Sequence, residues 1–130
     1  MRAARAYGNT DRQTAVMVSS SVGLVILLYE KLLIRLDEAK RGFANQDIPA
    51  RLDAIAKAVE LIEVGLISSL DLRQGGEIAS RLKIHYDIWI AKLFNANIKA
   101  SVELLDEVEQ EVQTIKSAFM QIEQANTQVR

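Results

Sequence analysis

The chain has 130 residues, enough for one domain with a single core, and is 49% apolar and 5% aromatic, with one proline and six glycines. That is the make-up of a helical protein built on Leu, Ile, Val and Ala, not of a β-sandwich. Sixteen basic against seventeen acidic residues leave a net charge of -1, which excludes a general draw toward nucleic acid or an anionic membrane, and the lack of cysteine excludes disulfides and thiolate metal sites.

Residues 1–18 read as a mobile N-terminal arm, basic at Arg2 and Arg5 and then polar and turn-prone from Tyr7 to Thr14. No apolar stretch follows the arginines at signal-peptide distance, so no secretory signal is expected and the protein is expected to stay inside the cell. Tyr7 is either a stray surface aromatic or an anchor that docks the arm on the body. Ser19, Ser20 and Ser21 offer three N-caps for a helix from about Val22 to Gly42, with Gly42 as the residue that ends it and Phe43 closing the end by an apolar contact. Leu24, Leu27, Leu28, Lys31, Leu32, Arg35 and Ala39 keep helical spacing along it, and Val25, Ile26, Tyr29, Leu33 and Leu36 widen the apolar surface. The run Val22 to Tyr29 is far shorter than the roughly 20 residues of a membrane span, so it predicts a core helix.

Asp47 is the expected N-cap of a second helix, with Pro49 in its first turn, where a missing amide costs nothing. Ile48, Leu52, Ile55, Val59, Ile62 and Leu66 alternate by four and three, a coiled-coil-like seam. Ala58, Leu61, Gly65 and Ile67 lie off that seam, so the helix either packs on two sides or carries a docking groove. The stretch from Leu70 to Ala79 holds the chain's adjacent glycines, Gly75 and Gly76, and predicts a hairpin between helices. Asp71 is expected to accept from nearby amides and Glu77 to favour the dipole of the next first turn. A phosphate-binding glycine loop is excluded, since no strand precedes the pair and no lysine stands at the required spacing.

Ile78, Leu82, His85, Trp89 and Ala96 form one stripe of a third helix ending near Asn97, with Ala79, Tyr86, Ile90 and Leu93 beside it. Ser101 caps a fourth, in which Leu105, Val108, Val112, Ile115, Phe119 and Ile122 keep heptad spacing and Asp106, Glu107, Glu109 and Glu111 fill the outer face. The pattern fades after Ile122, so residues 19–122 are expected to form the bundle and 123–130 a frayed tail. The fold class is all-α, an antiparallel four-helix bundle.

A carboxylate-bridged metal site needs Glu-x-x-His pairs, and the single histidine, His85, has Leu82 three residues before it. No metal or cofactor is expected. Ser68 and Ser69 have no general base at readable spacing, and the acidic runs fall on solvated faces, which argues against an enzyme. Trp89 and Tyr86 are large aromatics in a chain with few, either core or anchors for a partner helix.

The run Leu70-Asp71, then Gly75-Gly76-Glu77-Ile78-Ala79, Leu82, Tyr86, Leu93 and Ala96-Asn97, resembles the signature of the flagellar secretion chaperone FliS family. Ala6-Tyr7, the run Leu24 to Glu30 and the segment Leu105 to Val112 extend the likeness over most of the chain. Three positions depart from the family pattern: Ser19 to Ser21 replace an Ala-Ser-Pro, Glu30-Lys31 replaces an acidic-glycine pair, and His85 replaces a tyrosine. The resemblance implies a cytoplasmic four-helix chaperone that binds the disordered C-terminal segment of flagellin, prevents premature polymerisation and delivers it to the flagellar type III export gate protein. It also implies that the arm around Tyr7 covers an apolar groove and contacts the export gate. The candidate client-binding groove is Ile55, Ala58, Val59 and Ile62 with Tyr86, Trp89 and Ile90; Asp71, Gly75 and Gly76 are expected to be architectural. A homodimer of the free protein is left open, and the alternative function is a helical adaptor for a different amphipathic client.

Overall fold

The computed structural model describes residues 21–129 apart from 72 and 74, so Tyr7, Ser19 and Ser20 lie outside the described residues. Four helices follow one another: α1 Ser21–Ala44, α2 Ile48–Glu60 with a π-helical continuation Leu61–Ile67, α3 Gly76–Ile98 and α4 Val102–Val129. Each helix packs on its neighbours in the chain and α4 closes on α1, leaving α1 and α3 on one diagonal and α2 and α4 on the other. The side-chain bridges fix the directions. Lys40, late in α1, meets Asp106 and Glu109, early in α4, while Glu30 meets Lys116 at the other end. Lys92 and Trp89 of α3 meet Glu107 and Glu111 of α4 in the same reversed order, as an up-and-down antiparallel bundle requires.

The buried face of α1 is Ile26, Tyr29, Leu32, Leu36 and Ala39, turned from the Leu24-Leu27-Leu28-Lys31 line so that Lys31 stays in water and Tyr29 reaches the centre. Gly42 does not end α1. It lies inside the last turns, where a Cβ would come within 2.8 Å of the Arg51 backbone nitrogen, so the missing side chain lets α1 and α2 close on each other. The left-handed residue is Gln46, at φ 54, and the amides of Gln46 and Asp47 reach back to the carbonyls of Phe43 and Gly42. This is a Schellman ending built without glycine, and the α3–α4 link repeats it with Ala100 at φ 49. Phe43 supports the turn beneath the Arg51 guanidinium, 4.7 Å from its ring centre.

Helix α2 starts as expected, with Asp47 accepting from the Ala50 amide and Pro49 in the first turn. Its seam is buried from Ile55 through Val59 and Ile62 to Leu66, but Ile48 and Leu52 are exposed, because α2 begins beyond the part of the bundle that covers that face. The widened turns hold Gly65 against Leu28 of α1, whose Cδ2 would lie 3.3 Å from an added Cβ. Ser68 and Ser69 donate their hydroxyls to the carbonyls of Glu63 and Leu66, which ties them to the helix end.

In the hairpin Asp71 accepts from the Arg73 amide through its side chain and from the Gly75 amide through its carbonyl. A Cβ at Gly75 would sit 2.6 Å from that carbonyl, and Gly76 has φ +56, so each glycine meets a separate requirement of the turn. Glu77 lies in the first turn of α3. Helix α4 runs on through the stretch expected to fray, to Val129, since no Gly or Pro interrupts it and an exposed helix continues at little cost.

Candidate functional site

The centre of the bundle is an aromatic cluster. Tyr29 of α1 packs edge-on against Tyr86 and Trp89 of α3, with ring centres 6.4 and 6.2 Å apart, and in a tilted arrangement against Phe119 of α4 at 5.8 Å. The Tyr29 and Tyr86 hydroxyls lie 2.7 Å apart across the buried diagonal and satisfy each other. Burial first, then its neighbour Tyr86, pushes the Tyr29 hydroxyl far above the ordinary phenol range. Burial also raises Tyr86, although the hydrogen bond with Tyr29 works in the other direction. Both stay neutral at any physiological pH. We expect Tyr29→Phe or Tyr86→Phe alone to cost about 1–3 kcal/mol by orphaning the partner hydroxyl, and the double substitution to cost clearly less than the sum. Denaturant titration of the four proteins checks this, and strictly additive losses would show that the hydroxyls do not depend on each other.

At the edge of the cluster the Trp89 indole Nε1–H donates to Glu111 Oε1 at 2.7 Å, and His85 Nδ1 lies 3.0 Å from the same oxygen. Burial alone would raise the Glu111 carboxyl; the hydrogen bonds from Trp89 and His85 and the charges of His85 and Lys92 outweigh it and hold the group below the usual carboxylate range. A depressed folded-state pKa stabilises above the unfolded value, about 4.3, and that stabilisation is lost as pH falls through the folded value. Acid titration should therefore show wild type losing stability below about pH 4.3 more steeply than Glu111→Gln, followed by circular dichroism.

The acidic run at the start of α4 is exposed at Asp106 and Glu107, as its pattern suggests, and half-buried at Glu109 and Glu111. Asp106 and Glu109 hold Lys40 and keep its ammonium above its ordinary value, chiefly through the Glu109 hydrogen bond, while Glu107 holds Lys92 at 3.0 Å. These residues join α4 to α1 and α3. Among the described residues no group of acidic or histidine side chains is arranged to hold a metal ion, and no helix is long and apolar enough to cross a membrane.

The expected groove residues are brought together, but inward. Ile55, Ala58, Val59, Ile62, Tyr86 and Trp89 are all buried, and Ile90 is half-buried against the same core. Its six buried members pack with α1 and α4 into one cluster, and Ile90 packs partly buried against it. Trp89 and Lys92 turn toward α4, so Ile90 and Phe94, roughly 100–140° further round α3, lie on the flank toward α2. On α2, Arg51 and Gly65 abut α1, which leaves Leu52 on the side toward α3. Leu52 and Phe94 are exposed and Ile90 is half-buried on the flanks of α2 and α3 beside the buried set. Ile55 and Leu52 share one seam in the sequence, and no local signal separates the exposed residue from the core residue.

A family model described as "Flagellar protein FliS" matches residues 3–126. The chain belongs to the FliS family. It is 33% identical to the flagellar secretion chaperone FliS of Salmonella typhimurium over 118 residues, 91% of this chain and 87% of that protein. It is 33% identical to the flagellar secretion chaperone FliSB of Pseudomonas aeruginosa over 119 residues, 92% of this chain and 94% of the relative, and 30% identical to FliS of Vibrio cholerae over 118 residues, 91% and 86%. FliS proteins are secretion chaperones and not enzymes, and the geometry fits: the serines at the end of α2 are tied to backbone carbonyls and the acidic side chains of α4 to cross-helix partners.

Proposed function

We propose that this FliS-family bundle is a flagellin export chaperone. It binds the disordered C-terminal segment of flagellin in the bacterial cytoplasm, prevents premature polymerisation and hands the segment to the flagellar type III export gate protein, with Tyr7 of the N-terminal arm at the gate contact. The observation that supports the reading is a bundle with a closed aromatic core that still leaves Leu52 and Phe94 exposed and Ile90 half-buried on the flanks of α2 and α3. An apolar flank beside a rigid core suits a client that folds as it binds, since the chaperone loses little entropy and the ordering cost on the client keeps the complex releasable. Co-purification from flagellated cells tests the reading: flagellin should come down at about one to one with the wild-type chain and be lost with Phe94→Asp. Recovery of a different client in place of flagellin would favour a helical adaptor.

A further inference from the structure

The buried seam of α2 ends at Leu66. Ile55, Val59, Ile62 and Leu66 are buried, and the same spacing leads on to Ser69, so a plain α-helix would set a hydroxyl on the core line. Ile67, five residues past Ile62, would turn away from the core in that helix. The fold shows the reverse: Ile67 is half-buried against the core and Ser69 is exposed. The π turns Leu61–Ile67 make the difference, since a π turn takes up one residue more than an α turn and rolls the residues after it back round the axis.

The hydrogen bonds at the two ends of these turns are of mixed register. The Leu61 amide is shared between the carbonyls of Lys57 and Ala58. The Ser68 hydroxyl donates to the Glu63 carbonyl, five residues back, at 3.1 Å, where a serine on a plain α-helix reaches three or four back, as Ser69 does with Leu66 at 2.9 Å. Gly65, without a side chain, gives the middle of the segment its freest backbone. The hairpin glycines Gly75 and Gly76 lie between the segment and α3, where they can take up a change of roll.

We propose that Leu61–Ile67 is a register joint that passes between this π form and a plain α form, and that the α form displays Ile67 beside Val64 on the outer face of α2 while Ser69 turns inward. The π form buries Ile67 and gives up regular α hydrogen bonding, and the α form reverses that exchange. Ser69 turns inward already satisfied, because its bond to Leu66 lies within one turn. Val64 is 66% exposed, and on a plain α-helix a residue three further on is its neighbour, so the α form adds a second apolar side chain at this place. The joint thus covers or opens an apolar patch. It does not rest on the flagellin reading, because every readout is taken without a client.

Native-state hydrogen exchange of the full chain should show the amides of residues 61–67 exchanging roughly tenfold faster than those of the α turns just before them. Deleting Val64 removes the surplus residue and should leave the melting midpoint unchanged or higher, with that exchange slowed to the level of the preceding turns. The chain has no cysteine, so Ile67→Cys reads the display directly. A maleimide should label it several-fold faster when Ser69→Leu, which favours the α form, is added, and slowest when Val64 is deleted. Exchange at 61–67 no faster than in the preceding turns would overturn the proposal, as would a Val64 deletion that fails to fold. Labelling of Ile67→Cys that ignores Ser69→Leu would mark simple fraying of the helix end and overturn it too.

Discussion

Ile55→Asp should abolish cooperative folding, while Leu52→Asp, three residues earlier on the same seam, should leave the melt within about 1 kcal/mol of wild type. Ile55 is 1% exposed and packs in the central cluster, so an ionised carboxylate there loses its water and gains no partner. The loss is expected to exceed about 4 kcal/mol, a large part of the whole stability of a domain this size. Leu52 is 43% exposed, so a carboxylate there stays hydrated. Its substitution should instead weaken client binding. Thermal denaturation of both variants, followed by flagellin-segment titration of Leu52→Asp, separates the roles. A folded Ile55→Asp protein that had lost binding alone would return that residue to an open groove.

Trp89→Ala is the other large effect expected. The indole is fully buried, touches Tyr29 and Tyr86, and donates to Glu111, so truncation opens a cavity between α1 and α3 and removes the donor that helps hold the carboxylate ionised. Large-to-small aromatic substitutions in cores cost about 3–5 kcal/mol, which for this length lowers the melting midpoint by roughly 10–20 °C. Trp89→Phe keeps much of the ring volume and removes the N–H, and it should cost about 1–2 kcal/mol because water replaces the donor at the part-exposed carboxylate. Circular dichroism melts of the two variants divide packing from hydrogen bonding. Equal losses would mean that the indole N–H, not the packing, is what the bundle needs.

The bundle itself was legible because its signals are local. Asp47 with Pro49 marks a helix start through a cap and a missing amide, and Gly75-Gly76 marks a turn through positive φ and a close carbonyl, and both requirements are met in the fold. What escaped depends on neighbours distant in sequence. Gly42 serves the approach of Arg51, nine residues on, while the left-handed positions fall to Gln46 and Ala100, residues whose types do not announce them. The π-helical turns at Leu61–Ile67 carry no marker beyond Gly65.

The site was legible only in part, for a related reason. Helical spacing shows that α2 and α3 each carry more than one apolar stripe, but which stripe faces inward is decided by what α1 and α4 bring, Tyr29 and Phe119 above all. Tyr86 and Trp89, read as core or anchors, are core, whereas Ile84 and Ile88, at equally good spacing, face outward. The acidic run of α4 is partly exposed, as its pattern suggests, but sequence does not show that Lys40 and Lys92 stand opposite it.

In the function proposed for this chain, an intact bundle holds flagellin's C-terminal segment on its surface. Calorimetric titration of the full chain with that segment, at several temperatures, measures this. We predict saturable binding near one to one with a negative heat-capacity change, as the flanks of α2 and α3 are covered and the client orders. Absence of binding, or equal binding of flagellin that lacks the segment, would show that the bundle does not hold this client.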